Sequence, residues 1–147
     1  MAIDSTLIEL LRNLIDDTVE PYEFSDDRLL SLSYTAASYV NMEISGDYEV
    51  SFCDMSITPT PPSSVVTLIA LKAACLLIRS QHTSYSRSDF RVTDGPASVD
   101  IKGAANNLKG AADSVCSQYE KLKFNHLMNN NASVGGYAIT TPSSESQ

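Results

Sequence analysis

The sequence predicts a mainly α fold: a small helical bundle around one buried central helix, with a projecting β-hairpin and a flexible C-terminal tail. Three observations predict it. Segment 63–79, SSVVTLIALKAACLLIR, is apolar on every side apart from Lys72 and Arg79, and a helix apolar all round is a buried one. Two other stretches, 7–15 and 104–128, repeat apolar residues at steps of three and four, the spacing of a helix with one covered face. From Asn129 onward the chain is Asn-, Gly-, Ser- and Thr-rich, too poor in apolar side chains to fold alone. The 147 residues suit one domain over 1–128 followed by the tail 129–147.

In the first helix Leu7, Ile8, Leu10, Leu11, Leu14 and Ile15 form the apolar face, with Asp4, Ser5 and Thr6 as candidate caps. Asp16 and Asp17 crowd its C-terminal end, where the dipole disfavours negative charge, and Pro21 forbids its continuation. Ser25 followed by Asp26 and Asp27 is a helix start, a hydroxyl for the free amides and two carboxylates at the positive end of the dipole. The second helix runs to about Ile44, and Ser45, Gly46 and Asp47 end it. Asp16, Asp17, Asp26 and Asp27 lack the alternating ligands and internal glycine of a calcium loop, so they read as capping and solvation. Tyr48, Val50 and Phe52 alternate with Glu49, Ser51 and Cys53, the period of a half-buried strand. SITPTPP is a stiff connector, its prolines block an earlier start to the central helix, and Ser63 or Ser64 can cap it.

Past Arg79 the residues 80–89 show no periodicity and read as a polar loop that orders against a partner. His82, Ser84 and Ser86 have no third group to orient the histidine and no glycine elbow beside them, so they do not make a nucleophile and base. Phe90, Arg91, Val92 and Thr93 on one side of Asp94-Gly95, and Val99, Asp100 and Ile101 on the other, predict a β-hairpin near 90–101, with Pro96 asking for a loop longer than two residues. Gly103 opens the last helix, whose stripe of Leu108, Ala111, Ala112, Val115, Tyr119, Leu122 and His126 reads as core. Gly110 weakens that helix and marks a place where two helices can approach closely. In the tail, Val134, Tyr137, Ile139 and Thr141 can pair as an added strand with a partner.

The formal charge of −8 is unevenly spread. Residues 1–54 carry twelve acidic residues against Arg12 and Arg28, a net of −10, whereas residues 55–147 carry eight basic against six acidic, a net of +2. Such a split reads most plainly as an acidic, solubilising surface, and it also suits head-to-tail contact between identical copies or docking on a basic partner. Nucleic acid is not expected as a primary partner, because the basic residues are interspersed with acids. Cys53, Cys75 and Cys116, odd in number and widely spaced, read as reduced core cysteines of an intracellularly made protein. With no CxxC or HExxH spacing and only His82 and His126, no metal or cofactor is expected, and Cys116 and His126 read as structural. The start MAIDSTLIELL lacks a basic region and a cleavage site, and the central segment is too short and charge-interrupted to span a bilayer, so no membrane partner is expected. Nothing pairs two carboxylates for acid–base work or forms a phosphate loop, which argues against an enzyme.

The order of two helices, strand and proline spacer, buried helix, polar loop, hairpin, long helix and polar tail resembles the head–tail adaptor (connector) proteins of tailed bacteriophages. The stretches SDDRLLSLSYTAASYVNMEI, VVTLIALKAACLLIR and RVTDGPASVDIKGAANNLKGAADSVCSQYEKL carry the likeness, over roughly residues 5–128. The resemblance implies a virion protein without enzymatic activity, made in the host cytoplasm and placed in the neck as a twelvefold ring. It implies docking on the portal protein through Lys121, Lys123, Phe124, Leu127, Tyr137 and Ile139. Tyr85, Arg87, Phe90, Arg91, Val92, Asp94, Val99 and Ile101 are expected to face neighbouring copies or the head-closure or tail neck protein, with DNA only as passing cargo. From a different class, a cytosolic helical protein-binding module or small regulator fits the same composition and predicts no ring.

Overall fold

A computed structural model describes residues 3–89 and 98–134, with side chains over 3–87 and 106–131. The fold is mainly α. Four helices, α1 (Ile3–Ile15), α2 (Asp26–Glu43), α3 (Ser63–Asp89) and α4 (Ser98–Val134), are joined by one small antiparallel hairpin of β1 (Glu49–Ser51) and β2 (Ser56–Thr58). α3 is the central element, and α1, α2 and α4 all pack on it. Its buried residues come from every side of the helix: Val65, Val66, Leu68, Ile69, Ala70, Leu71, Ala73, Ala74, Leu77 and Ile78. Against them lie Leu7 and Leu11 of α1, Leu29, Tyr34, Ala36, Ala37 and Val40 of α2, and Tyr119 of α4.

α3 is ten residues longer than its apolar run, because residues 80–89 continue the helix and do not form a loop. Their hydroxyls turn back onto the preceding turn: Ser80 Oγ donates to the Leu77 carbonyl, Thr83 Oγ1 to Arg79 and Ser84 Oγ to Ser80. These bonds satisfy polar side chains without interrupting the backbone ladder. The stretch Ser63–Arg87 is therefore long and apolar enough to cross a membrane by length and composition, a correction to the shorter reading, but 61% of its most apolar window is buried inside the fold. Pro62 takes the cap position of α3, its carbonyl accepting from Val65 and Val66 N–H, so Ser63 and Ser64 are already helical.

α2 starts as its sequence requires, with the Arg28 N–H donating to Ser25 Oγ at 3.4 Å. It ends in a Schellman turn: Ser45 has φ 52°, and the Gly46 N–H returns to the Asn41 carbonyl at 2.9 Å. Gly46 is required for space, since a Cβ there would lie 2.6 Å from Asn41 Oδ1. The Asn41 amide bridges onward, donating to the Tyr48 carbonyl at 2.7 Å and accepting from its N–H at 3.1 Å, and so fixes where β1 begins. Register runs Glu49 to Thr58, Val50 to Ile57 and Ser51 to Ser56. Ile57 is buried while Phe52, in the turn, is 53% exposed.

Of the hairpin expected near 90–101, the described part, 98–101, is helical and not a strand. Residues 98–101 are the first turn of α4, which starts six residues before the expected Ala104 and includes Gly103. Val99 and Ile101 favour strands, but Asp100 just after Ser98 suits the positive end of a helix dipole. Phe90, Arg91, Val92 and Asp94 lie outside the described residues. At its other end α4 runs to Val134, six residues past Met128, while the rest of the expected tail, with Tyr137, Ile139 and Thr141, lies outside the described residues. Gly110 does not mark a close helix approach: nothing described stands within 4 Å of where its Cβ would be.

Tyr34 shows how the hairpin is tied to the bundle. Its ring is fully buried, and its hydroxyl reaches the Asp4 carboxylate of α1 at 2.6 Å and the Met55 carbonyl beside β2. Burial, and then Asp4, push the phenol above the usual tyrosine range. Tyr34→Phe keeps the packing and removes both bonds, so it is expected to cost about 1–2 kcal/mol, read as a fall of roughly 3–6 °C in Tm.

Candidate functional site

Two polar clusters and one helical arm carry the features of interest. The first cluster closes the corner between α1 and α2. Asp16 takes a left-handed φ of 59°, and the Asp17 N–H returns to the Arg12 carbonyl at 3.0 Å, a second Schellman turn. That turn swings Asp17 back onto the helix that precedes it. Arg12 donates to Asp17 Oδ2 at 2.6 Å, to Asp26 Oδ1 at 2.5 Å and to the Phe24 carbonyl at 3.0 Å. Asp17 in turn accepts the Glu23 and Phe24 N–H groups, and Tyr22 stacks its ring 3.9 Å from the guanidinium carbon. Asp17 and Asp26 thus have a defined cation partner, and the dipole conflict expected at the end of α1 is answered by Arg12. A cleft of about 410 Å³ opens beside the cluster, lined by Ser5, Ile8, Glu9, Asn13, Thr18 and Tyr22 among others.

The second cluster joins three helices through Glu43 at the end of α2. Glu43 Oε1 accepts Lys72 Nζ of α3 at 2.6 Å, and Oε2 accepts the Tyr119 hydroxyl and Lys123 Nζ of α4, both at 2.8 Å. Lys123 also pairs with Glu120 at 2.7 Å, and Lys72 lies 4.7 Å from the Tyr119 ring centre. Burial alone would raise the Glu43 carboxyl, but the bonds from Lys123, Lys72 and Tyr119 outweigh it and bring it down to about 2. Burial and then Glu43 push the Tyr119 phenol well above its ordinary value. The cluster is charge-balanced and each of its donor groups has an acceptor, which is the arrangement of a structural clasp.

Beyond these clusters α3 and α4 run on together as an arm. Gln81, which donates to Glu23 Oε1 at 3.0 Å, marks the reach of the α1–α2 corner along α3. Past it, Thr83, Ser84, Tyr85 and Arg87 are exposed, with His82 and Ser86 half-buried. On α4 the facing stretch has Asn107, Lys109, Gly110 and Ala111 exposed and Leu108 half-buried. Near the base of the arm Cys75 is bonded to Cys116, with Cα atoms 5.1 Å apart. The reading of all three cysteines as reduced core residues is corrected: two are joined across the α3–α4 interface, and Cys53 is free and exposed in the β1–β2 turn. No spacing motif signals a pair separated by 41 residues; only the apolar context of both cysteines points inward.

The expected portal-facing residues do not behave alike. Lys121 and Phe124 are exposed on the outer side of α4, whereas Lys123 is held in the Glu43 cluster and Leu127 packs partly against the core. Tyr85 and Arg87 are exposed on the arm, and Val99 and Ile101 belong to the first turn of α4. Within the expected core stripe of α4, Ala112, Val115 and Tyr119 are covered, but Ala111 and Leu122 are exposed. His126 meets the Asn130 amide at 3.0 Å.

His82 and Ser86 share one face of α3, while Ser84, two residues from each, projects from the other side and donates to a carbonyl. These three side chains therefore do not converge on a substrate. Among the described residues no group of three or more His, Cys, Asp or Glu side chains is placed to hold a metal ion. Comparison of the chain with protein-family models, with curated proteins and with solved structures finds no match in any of the three.

Proposed function

We propose that the chain is a non-enzymatic virion structural protein, a head–tail adaptor that forms a ring between the portal and the lower neck proteins. The observation that supports this is the α3–α4 arm, a pair of helices whose outer part is left uncovered by the rest of the described residues. A lone helix pair with polar faces gains little from its own packing, so such an arm makes sense where a neighbour completes its burial. The unequal charge of the two halves gives that neighbour an orientation, the acidic front half of one copy against the mildly basic arm-bearing half of the next. Repeated heterologous contact of this kind closes a ring when the rotation between copies divides a full turn.

Tyr85 and Arg87 on the arm would then meet the adjacent copy, and exposed Lys121 and Phe124 the portal, with Tyr137 and Ile139 reaching it from beyond α4. In this arrangement DNA passes through the ring as cargo, and an acidic lumen keeps it from sticking. Quantitative mass spectrometry of purified tailed-virus particles from the source is expected to find the chain in one-to-one ratio with the portal. Absence from particles would overturn the proposal and leave a cytosolic protein-binding module. Replacing Tyr137 and Ile139 together by serine is expected to weaken portal binding about tenfold or more, without lowering Tm; unchanged affinity would remove that segment from the docking surface.

A further inference from the structure

We propose that Cys75 and Cys116 are a reversible thiol–disulfide clamp that sets how tightly the outer α3–α4 arm is held to the bundle. The bond lies at the edge of the core. Toward the bundle the α3–α4 interface is filled by Leu71, Ala74 and the fully covered Tyr119; away from it, Ile78 and Ala112 are the last buried pair among the described side chains. Beyond them only half-buried His82, Ser86 and Leu108 remain at the described interface, and Gly110 contributes no side chain. Among the described side chains this region has few buried apolar contacts, and a region of that kind opens at low cost. The covalent link at its base is the strongest restraint on that opening.

The bond is also reachable. Both cysteines are nearly buried, at 5% and 8% exposure, yet they line a cleft of about 230 Å³ together with Lys72, Arg79, Asp113 and Glu120. Lys72 and Arg79 stand about one turn to either side of Cys75, and with Asp113 and Glu120 they give the cleft charges of both signs, so its lining does not bar an incoming thiolate. A low-molecular-weight thiol supplies the chemistry. Its thiolate attacks one sulfur, the Cys75–Cys116 bond breaks, and a mixed disulfide forms with one protein thiolate released. A second thiolate displaces the other protein sulfur, which leaves as thiolate; both protein thiolates take up a proton, and two molecules of reductant leave as one disulfide. Two electrons enter the protein, and a small disulfide runs the exchange backwards. The clamp acts on the arm whatever the arm binds.

The test uses the full chain carrying Cys53→Ser, which removes the exposed free thiol. After treatment with oxidised glutathione, the denatured protein is expected to show no free thiol, and after dithiothreitol, two. Hydrogen exchange of the amides at 80–89 and 98–111 is expected to quicken about tenfold on reduction, while those of α1 and α2 keep their protection. The further variant Cys75→Ser with Cys116→Ser should exchange like the reduced protein and ignore both reagents. Two free thiols after oxidation, an arm whose exchange does not change on reduction, or equal acceleration over all four helices would each overturn the proposal.

Discussion

Arg12→Met is expected to be among the most damaging single substitutions outside the apolar core, lowering the urea midpoint clearly more than Asp26→Asn does. The reason is the carboxylate left behind. The Asp17 side chain is only 7% exposed, and Arg12 is its cation partner at 2.6 Å. Methionine fills much of the arginine stem's volume, so the loss isolates charge from packing. Asp17 would keep its two backbone N–H donors from Glu23 and Phe24, which limits the loss. Asp26, the other partner, is 63% exposed, and Asp26→Asn should cost about 1 kcal/mol or less. The check is the urea midpoint of each variant and of the double variant Arg12→Met with Asp17→Asn. The double variant should lose less than Arg12→Met alone, because it no longer buries an unpaired charge. Equal midpoints for Arg12→Met and Asp26→Asn would mean that the cluster is an ordinary surface ion pair.

This cluster also shows where sequence reading stops. Residues five apart on a helix do not face each other, so Arg12 and Asp17 look unrelated until Asp16 adopts its left-handed φ. Features set by composition were legible: the central helix because it is covered on all sides, and the start of α2 because Ser25 and its two aspartates each serve a local electrostatic need. The outer half of α3 was not, since an arm covered along one narrow stripe has no apolar period to detect, and its Ser and Thr hydroxyls bond within the helix. Asp94-Gly95 lies outside the described residues, and the expected second strand after it is helix from Ser98. The β-hairpin that forms has a turn of Phe52, Cys53, Asp54 and Met55, with Met55 at φ 46° and no glycine to announce it. Glu43, the hub of three helices, sits at a helix end with its partners 29, 76 and 80 residues away, a separation that no local pattern encodes.

Glu43 should make the fold sensitive to acid. Its folded-state carboxyl is brought down from 4.5 to about 2, so the stability it contributes is fully present above about pH 4.5 and is lost as pH falls from there toward about 2. Because 28% of the side chain remains exposed, the contribution is discounted to about 2 kcal/mol. Glu43→Gln keeps an acceptor for the Tyr119 hydroxyl but leaves Lys72 and Lys123 facing a neutral group. At pH 7 it is expected to lower stability by about 2 kcal/mol, a fall of roughly 4–8 °C in Tm. The gap between variant and parent should then close as the pH is lowered below 4.5, since protonating the parent's carboxyl removes the same charge. Urea midpoints at pH 7, 4.5 and 2.5 decide it; a gap that does not change with pH would show that Glu43 acts through shape and not charge. The result bears on assembly too. Glu43 belongs to the acidic front half of the chain, while Lys72 and Lys123 belong to the basic back half. Part of the charge split is therefore spent inside the subunit. What remains for a neighbouring copy is the acidity of exposed residues such as Glu9, Asp16, Glu20 and Asp27, and the salt dependence of any ring contact should follow those residues and not the clasp.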